Sequence, residues 1–438
     1  MGSQDSGDIE FGNLNIVCAD FIRSKLNSQK ILPGTLEPSS CIFRVHQNIR
    51  NVNKAAYTPD MVSIGPYHRP DSPNTNLEAM EKHKLKYLQA VLERTRETTN
   101  LDKYVEALVK LEPEARKCYS ETINLPQEQF IDMMLIDGFF ILELFRKHIK
   151  VVLVDEDDPI FNSSSITARV LRDLVLLENQ IPMSVLQILF DLSKNPVPDS
   201  PTLIEMALSF FDTFIPNAKN KYPKSNGTVK HKHLVDLLRY TLSVSLPKPS
   251  SISAFSTVQE SLPSAMELQR SGVTFKMAKS YDSLIHIKFD KGVFEIPQLT
   301  IHDHTGSFFH NLIAYEQQHY TGTPYITAYA ILMNNLIDTV YDVRFLRRQK
   351  IITNQLGNDR KVSSLFTNLC KGISRNGFYY LEVCDKVIDY YKLPYHQWKV
   401  ELKRIWSTNV WTIISVAAAI LLLLLTAWST VFITLPFF

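Results

Sequence analysis

The chain has 438 residues, 45% of them hydrophobic and 21% charged, a balance that excludes a disordered tail, a collagen and a small disulfide scaffold. Its 47 Lys and Arg against 45 Asp and Glu leave a formal charge of +2, so no overall field draws the chain to nucleic acid or to a basic partner. The five cysteines (Cys18, Cys41, Cys118, Cys370, Cys384) form no C-x-x-C pair and are odd in number, which favours reduced, mostly buried thiols over a disulfide framework or a zinc site.

Residues 1–40 read as an N-terminal extension. Met1 to Phe11 carries three acidic residues and no apolar core, so it is not a cleavable secretory signal. Met1-Gly2-Ser3-Gln4-Asp5-Ser6 fits the loose pattern for myristoylation at Gly2. From residue 41 to 404 the chain reads as one helical domain. Glu78 to Arg96 sets Met80, Leu85, Leu88 and Leu92 near one face, an amphipathic helix. Gln127 to Lys150 is apolar nearly all round and reads as a central core helix. Ile166 to Asn179 and Met183 to Leu192 are two more helical runs, broken at Pro182. Asn217 to Thr228 and Pro247 to Ser256 are polar or Pro/Ser-rich and read as exposed connections.

The period then changes. Val273 to Phe275, Leu284 to Phe289 and Val293 to Ile296 run β-branched and aromatic, with Asp290-Lys291-Gly292 between the last two, which predicts a small antiparallel meander. Helical signals resume from Ser307 and continue through Ile326 to Leu346, Lys361 to Cys370 and Gly377 to Tyr391. Residues 405–438 carry no charge after Arg404. With Trp411 and Trp428 towards its ends and Lys399, Lys403 and Arg404 on its flank, the stretch 410–433 predicts one transmembrane helix. The expected fold is therefore mostly α: a helical bundle, a small antiparallel sheet and a C-terminal membrane anchor. Without a signal peptide this predicts a single-pass, tail-anchored protein with its body in the cytosol. The sequons at Asn162 and Asn226 would carry glycans only in a lumenal body.

Motifs for chemistry are few. The fourteen glycines include no G-x-G, and Gly372 to Gly377 has phosphate-loop spacing but is followed by Phe378 and Tyr379 instead of Lys and Ser/Thr. His302-Asp303-His304 and His231-x-His233 each offer two imidazoles without a third ligand at recognisable spacing, so no metal or other cofactor is expected. Glu143, Glu178 and Glu316 follow apolar helix positions, where a buried carboxylate usually meets backbone or a basic partner.

Six ordered motifs carry a resemblance. Cys41-Ile-Phe-Arg-Val45, Ala56-Tyr-Thr-Pro-Asp-Met-Val-Ser-Ile-Gly-Pro-Tyr-His68, Met80-Glu-Lys-His-Lys84, Met134-Leu-Ile-Asp-Gly-Phe-Phe-Ile-Leu-Glu143, Asp173-Leu-Val-Leu-Leu-Glu-Asn-Gln-Ile-Pro182 and Asn311-Leu-Ile-Ala-Tyr-Glu-Gln317 resemble the plant family called domain of unknown function 247. The sequence departs from the family pattern at His46, where Pro is usual, and at Pro70, where Gly is common. The motif residues are Arg44, Tyr57, Pro59, Gly65, Pro66, Tyr67, His68, Glu81, Lys84, Asp137, Gly138, Glu143, Glu178, Asn179, Gln180, Pro182, Asn311 and Glu316, and structural roles are expected of them. The resemblance implies a membrane-anchored plant protein without known catalysis, at the plasma membrane, with the endoplasmic reticulum also permitted by a tail anchor. Grass members lie at the self-incompatibility loci as candidate pollen-side determinants, which makes recognition of a protein partner the leading expectation. The competing classes are a hydrolase-like enzyme using His68, His302 or Glu316, and a structural membrane organiser.

Overall fold

The computed structural model describes residue 24 and residues 40–69, 75–194, 200–223, 230–248, 262–318, 322–375, 377–393 and 410–434. Gly2, Cys18, Asn226, the basic residues before position 405 and most of the N-terminal extension lie outside them.

One helix organises the N-terminal half. α1 (Thr75–Arg94) and α2 (Leu101–Lys117) precede α3 (Gln127–His148), which is followed by α4 (Ser164–Asp173), α5 (Met183–Ser193), α6 (Leu203–Phe210) and α7 (Leu234–Ser243). α3 packs against α1, α2, α5 and α6. Its apolar residues from Phe130 to Phe145, apart from the half-buried Ile136, are buried, as a helix enclosed by four others requires. Gly138 permits the approach of α5, because a Cβ there would stand 2.4 Å from a methyl of Leu189. Local caps fix the ends: Asn100 receives the Lys103 N–H, Ser163 that of Ile166, and Thr202 and Glu205 form a capping box.

The second half begins with α8 (Ala265–Arg270) and continues through β1 (Thr274–Met277), β2 (Lys288–Asp290), β3 (Val293–Ile296) and β4 (Leu299–Ile301). α9 (Thr305–Gln318), α10 (Tyr325–Leu336), α11 (Val340–Arg348), β5 (Ile352–Asn354), α12 (Asp359–Leu369) and α13 (Leu381–Lys392) complete it. α9 is its centre, packed on α7, α10, α12 and the short turn Lys54–Tyr57. One continuous apolar core runs through both halves.

The expected antiparallel meander is corrected to a mixed sheet of order β1-β3-β2. β2 and β3 are antiparallel, with Phe289 opposite Phe294, and form the hairpin across Lys291 and Gly292, both at positive φ as a two-residue turn of this hand demands. β1 instead runs parallel to β3, with Phe275 beside Phe294, because the connection 278–287 is long enough to return the chain to the other edge. A second pair, β4 with β5, is also parallel. Where periodicity suggests one helix over Ile326 to Leu346 there are two, since Thr339 and Asp342 form a capping box that starts α11 afresh.

The C-terminal expectation is also corrected. α14 (Val410–Thr434) forms, and its described side chains from Ile414 to Thr430 are exposed. Its uninterrupted apolar run is Val416 to Leu425, well short of the roughly 20 residues that span a bilayer. Thr426, Ser429 and Thr430 follow, their hydroxyls bonded to helix carbonyls. Among the described residues no helix is long and apolar enough to cross a membrane. The anchor at 410–433, and the single-pass plasma-membrane or endoplasmic-reticulum placement that rested on it, are therefore not supported.

Candidate functional site

Several of the motif residues converge on the loop from Thr58 to His68, a stretch of irregular backbone held inside the protein. Buried backbone N–H groups need acceptors, and helix side chains supply them. Asp173, at the end of α4, accepts from Asp60, Met61 and Val62 N–H at 3.0, 2.6 and 3.0 Å through one oxygen. Asn179 Oδ1 accepts from Ile64 N–H at 2.7 Å, while its Nδ2 donates to the Val62 and Asp173 carbonyls. Asp137 on α3 accepts from Gly65 N–H at 2.8 Å. Lys84 on α1, buried with a side-chain exposure of 2%, binds Asp137 and Glu81 at 2.6 Å each and donates to the Ser63 carbonyl. The loop turns at Gly65, whose φ is +71° and whose missing Cβ would meet the Gln180 carbonyl at 2.5 Å.

Glu178 is the second anchor. One carboxylate oxygen accepts from Val45 N–H at 2.7 Å and pairs with Arg50 at 2.5 Å; the other lies 3.1 Å from His68 Nε2 and 3.9 Å from Arg44. Burial raises the pKa of this carboxyl, but His68, the Val45 N–H and Arg50 outweigh it and hold the group below the usual range. Arg44 also lies over the Tyr67 ring at 4.7 Å, and the Tyr67 hydroxyl donates to the Ile42 carbonyl. Asn311 joins the halves: its oxygen accepts from Leu177 N–H and its amide donates to the Ala56 and Ser307 carbonyls, all at 2.8 Å. Gln180 donates to the Leu174, Leu176 and Asn179 carbonyls. Tyr57 meets His310 at 3.2 Å, Pro59 and Pro182 are buried, and Pro66 is half-buried. Glu143 pairs with Arg94 and Arg146. Glu316 pairs with Arg239 at 3.2 Å and accepts from Ile326 and Thr327 N–H at the start of α10.

The three residues named for an enzyme lie apart in their surroundings. His68 faces Glu178, Glu316 faces Arg239, and His302 tilts onto Phe214 with ring centres 5.5 Å apart. Among the described residues no three His, Cys, Asp or Glu side chains are placed to hold a metal ion. His233 caps α7 through Nδ1 and meets the Cys41 carbonyl through Nε2, whereas His231 turns to Tyr222. Asn162 is exposed, its amide donating to the Glu156 carbonyl.

A large recess is made by residues outside those motifs. A cavity of about 1030 Å³ lies between α5, α6, the short helix Ala218–Lys221 and residues 230–240. Met183, Ile188, Phe190, Leu203, Ile204 and Tyr222 give it apolar walls; Lys194, Lys219 and Lys230 are exposed where they border it. Its acids are engaged within the chain: Asp191 pairs with Lys194 at 2.9 Å and accepts from Gln187, while Glu205 caps α6. One wall is built by a polar chain. Tyr222 meets His231 Nε2 at 2.7 Å, His231 Nδ1 lies 3.8 Å from Asp236, and Asp236 accepts from Tyr315 at 2.8 Å. Burial lifts the Tyr222 phenol to about 12, so it stays protonated and serves as a fixed polar wall. The sequence flags this place only through the start of the polar stretch, residues 217–223. The lining residues come from discontinuous segments, and no local signal joins them.

A mostly helical body held by buried polar anchors, with a large recess beside it, defines the class; among the described residues no helix is long and apolar enough to cross a membrane and no group of side chains is placed to hold a metal ion. The chain belongs to the family described as "Plant protein of unknown function", domain of unknown function 247, whose profile matches residues 42–425. It is 32% identical to the UPF0481 protein At3g47200 of Arabidopsis thaliana over 419 residues, covering 90% of this chain and 86% of that protein. A second Arabidopsis thaliana UPF0481 protein, At3g02645, is 26% identical over 513 residues, covering 93% of each. No solved structure matches the chain.

Proposed function

We propose that this plant protein is a recognition module that binds a protein partner through the cavity between α5, α6, the short helix Ala218–Lys221 and residues 230–240, and that it performs no catalysis. The observation that carries the reading is a division of labour. The buried motif side chains are engaged by the protein's own backbone and by counter-charges within the fold, whereas the recess is bordered by the exposed Lys194, Lys219 and Lys230. Apolar walls bordered by Lys194, Lys219 and Lys230, with Asp191 and Glu205 already engaged, suit a segment that is apolar on one side and acidic on the other. Bordering connections accept sequence change without disturbing the anchors, as discrimination between partners requires. In its finer form the reading makes the chain a pollen-side determinant of self-incompatibility, the role for which grass members of the family are candidates.

The test is site-specific photocrosslinking in plant extract. A crosslinker at Gln187 should capture a discrete partner that the same group at Glu106, on α2, does not. Excess wild-type chain should abolish the capture, and a Lys219→Glu/Lys230→Glu chain should not. Equal capture from both positions, or equal competition by the charge-reversed chain, would sink the proposal.

A further inference from the structure

Two of the free thiols stand together. Ile42 and Tyr119 form a parallel β-bridge, so Cys41 and Cys118, each one residue earlier, occupy neighbouring positions on the same side of the two strands. The backbone confirms the approach: Cys41 and Ile42 N–H both donate to the Cys118 carbonyl, at 2.8 and 2.9 Å, and Ser120 N–H returns a bond of 2.9 Å to the Ile42 carbonyl. The Cys118 thiol also donates to the Glu114 carbonyl at 3.5 Å. Cys118 closes α2 and is partly exposed, whereas Cys41 is 2% exposed. Cys370 and Cys384, the other described cysteines, also have free thiols, and no hydrogen bond between them or to this pair is among their interactions.

We infer that Cys41 and Cys118 are a reversible disulfide site, closed by peroxide, which ties the first motif segment to the end of α2. The exposed partner reacts first. Cys118 thiolate attacks one oxygen of hydrogen peroxide, forming Cys118–SOH and releasing hydroxide, which takes up a proton as water. The Cys41 sulfur then attacks the Cys118 sulfur; the S–O bond breaks, the S–S bond forms, and the Cys41 proton leaves with the hydroxyl as a second water. Two thiols are oxidised and one peroxide is reduced, and a dithiol reductant reverses the step. The neighbouring Cys41 thiol holds the pKa of Cys118 down, while Cys41 itself is raised by Cys118 and by burial, so the thiolate forms on the reachable sulfur. Closure has a structural consequence, because Ile42 and Val45 on this segment touch Tyr67 and Glu178. Fixing it to α2 restricts the unfolded chain across a long loop and should raise the melting temperature.

The test uses the full reduced chain. After treatment with hydrogen peroxide it is unfolded, alkylated and analysed by intact mass and by peptide mapping without reductant. The expected result is loss of two hydrogens, alkylation of three of the five cysteines, a peptide joining Cys41 to Cys118, and a rise in melting temperature that dithiothreitol reverses. In Cys118→Ser, Cys41 should stay alkylatable after the same treatment; in Cys41→Ser, Cys118 should accumulate as sulfenic acid, trapped by dimedone. Alkylation of all five cysteines after peroxide, or Cys118 linked to a different cysteine, would overturn the inference.

Discussion

A single oxygen of Asp173 accepts the N–H of Met61 at 2.6 Å together with those of its two neighbours, although more than a hundred residues separate them in the chain. Three consecutive amides therefore depend on one carboxylate, which burial pushes towards the protonated form and Arg172 and those amides hold back. Asp173→Ala leaves all three without an acceptor and should cost about 3–5 kcal/mol. Asp173→Asn keeps an oxygen and should cost less. Urea unfolding gives the magnitudes, and hydrogen exchange gives the location: residues 60–65 should lose protection first. Protection of that loop unchanged in Asp173→Ala would show that Asp173 is not its anchor.

Gly65 and Gly357 have nearly the same backbone, at φ +71° and +72°, but different surroundings. A Cβ at Gly65 would lie 2.5 Å from the Gln180 carbonyl, a backbone atom that cannot swing aside; at Gly357 nothing lies within 4 Å. Gly357→Ala should therefore cost about 1 kcal/mol, the strain of the left-handed region alone. Gly65→Ala should cost about 3 kcal/mol or more, since the loop and the α4–α5 connection must separate. Equal denaturation midpoints for the two variants would show the close approach to be unimportant.

Lys84 is a buried cation between Asp137 and Glu81, and its worth lies in the charges it leaves behind. Lys84→Met should cost about 3–5 kcal/mol, because Asp137 stays buried beside the loop without its counter-charge. Adding Asp137→Asn removes that charge and keeps an oxygen for the Gly65 N–H, so the double variant should be more stable than Lys84→Met alone. A double-mutant cycle with additive costs would rule out direct coupling of the pair.

The sequence shows composition and period well and direction and distance poorly. The buried α3 is legible because apolar residues surround it, and the β2–β3 hairpin because Lys291-Gly292 can adopt the turn. That β1 runs parallel to β3 is invisible, since alternation is the same in either direction. α2 escapes because only Tyr104, Leu108 and Ala115 of its residues are buried among Glu and Lys, although Asn100 and Asp102 mark its start. A long uncharged C-terminus suggests a membrane span, and among the described residues no helix meets the length and apolarity that one needs. The motif residues stand out, but the hydrogen bonds that the 60–64 loop N–H groups donate to Asp173 and Asn179 join residues far apart in the chain. The cavity between α5, α6 and His231 is hidden for the same reason, because four separate segments meet there.

Acid should weaken the protein before its depressed carboxylates, Glu178 and Asp236, titrate. His233 and His310 are buried as neutral imidazoles with pKa values lowered to about 4 by burial, against 6.5 in the unfolded chain. Between those values the unfolded state binds more protons than the folded one, so stability rises with pH through this window; it is complete above pH 6.5 and lost as pH falls towards 4, by up to about 3 kcal/mol for each histidine. Glu178 and Asp236, held below the usual carboxylate range, add their losses only at lower pH. The raised carboxyls of Asp137 and Glu316 act in the opposite sense, so the histidine share is read as a difference between proteins. His233→Asn retains a side-chain acceptor for the α7 N-terminus, and His310→Gln retains a partner for Tyr57. Urea midpoints at pH 4.5, 5.5, 6.5 and 7.5 should converge on wild type or exceed it at the acid end in both variants. A variant that falls in parallel with wild type across the whole range would show that its histidine does not titrate with unfolding.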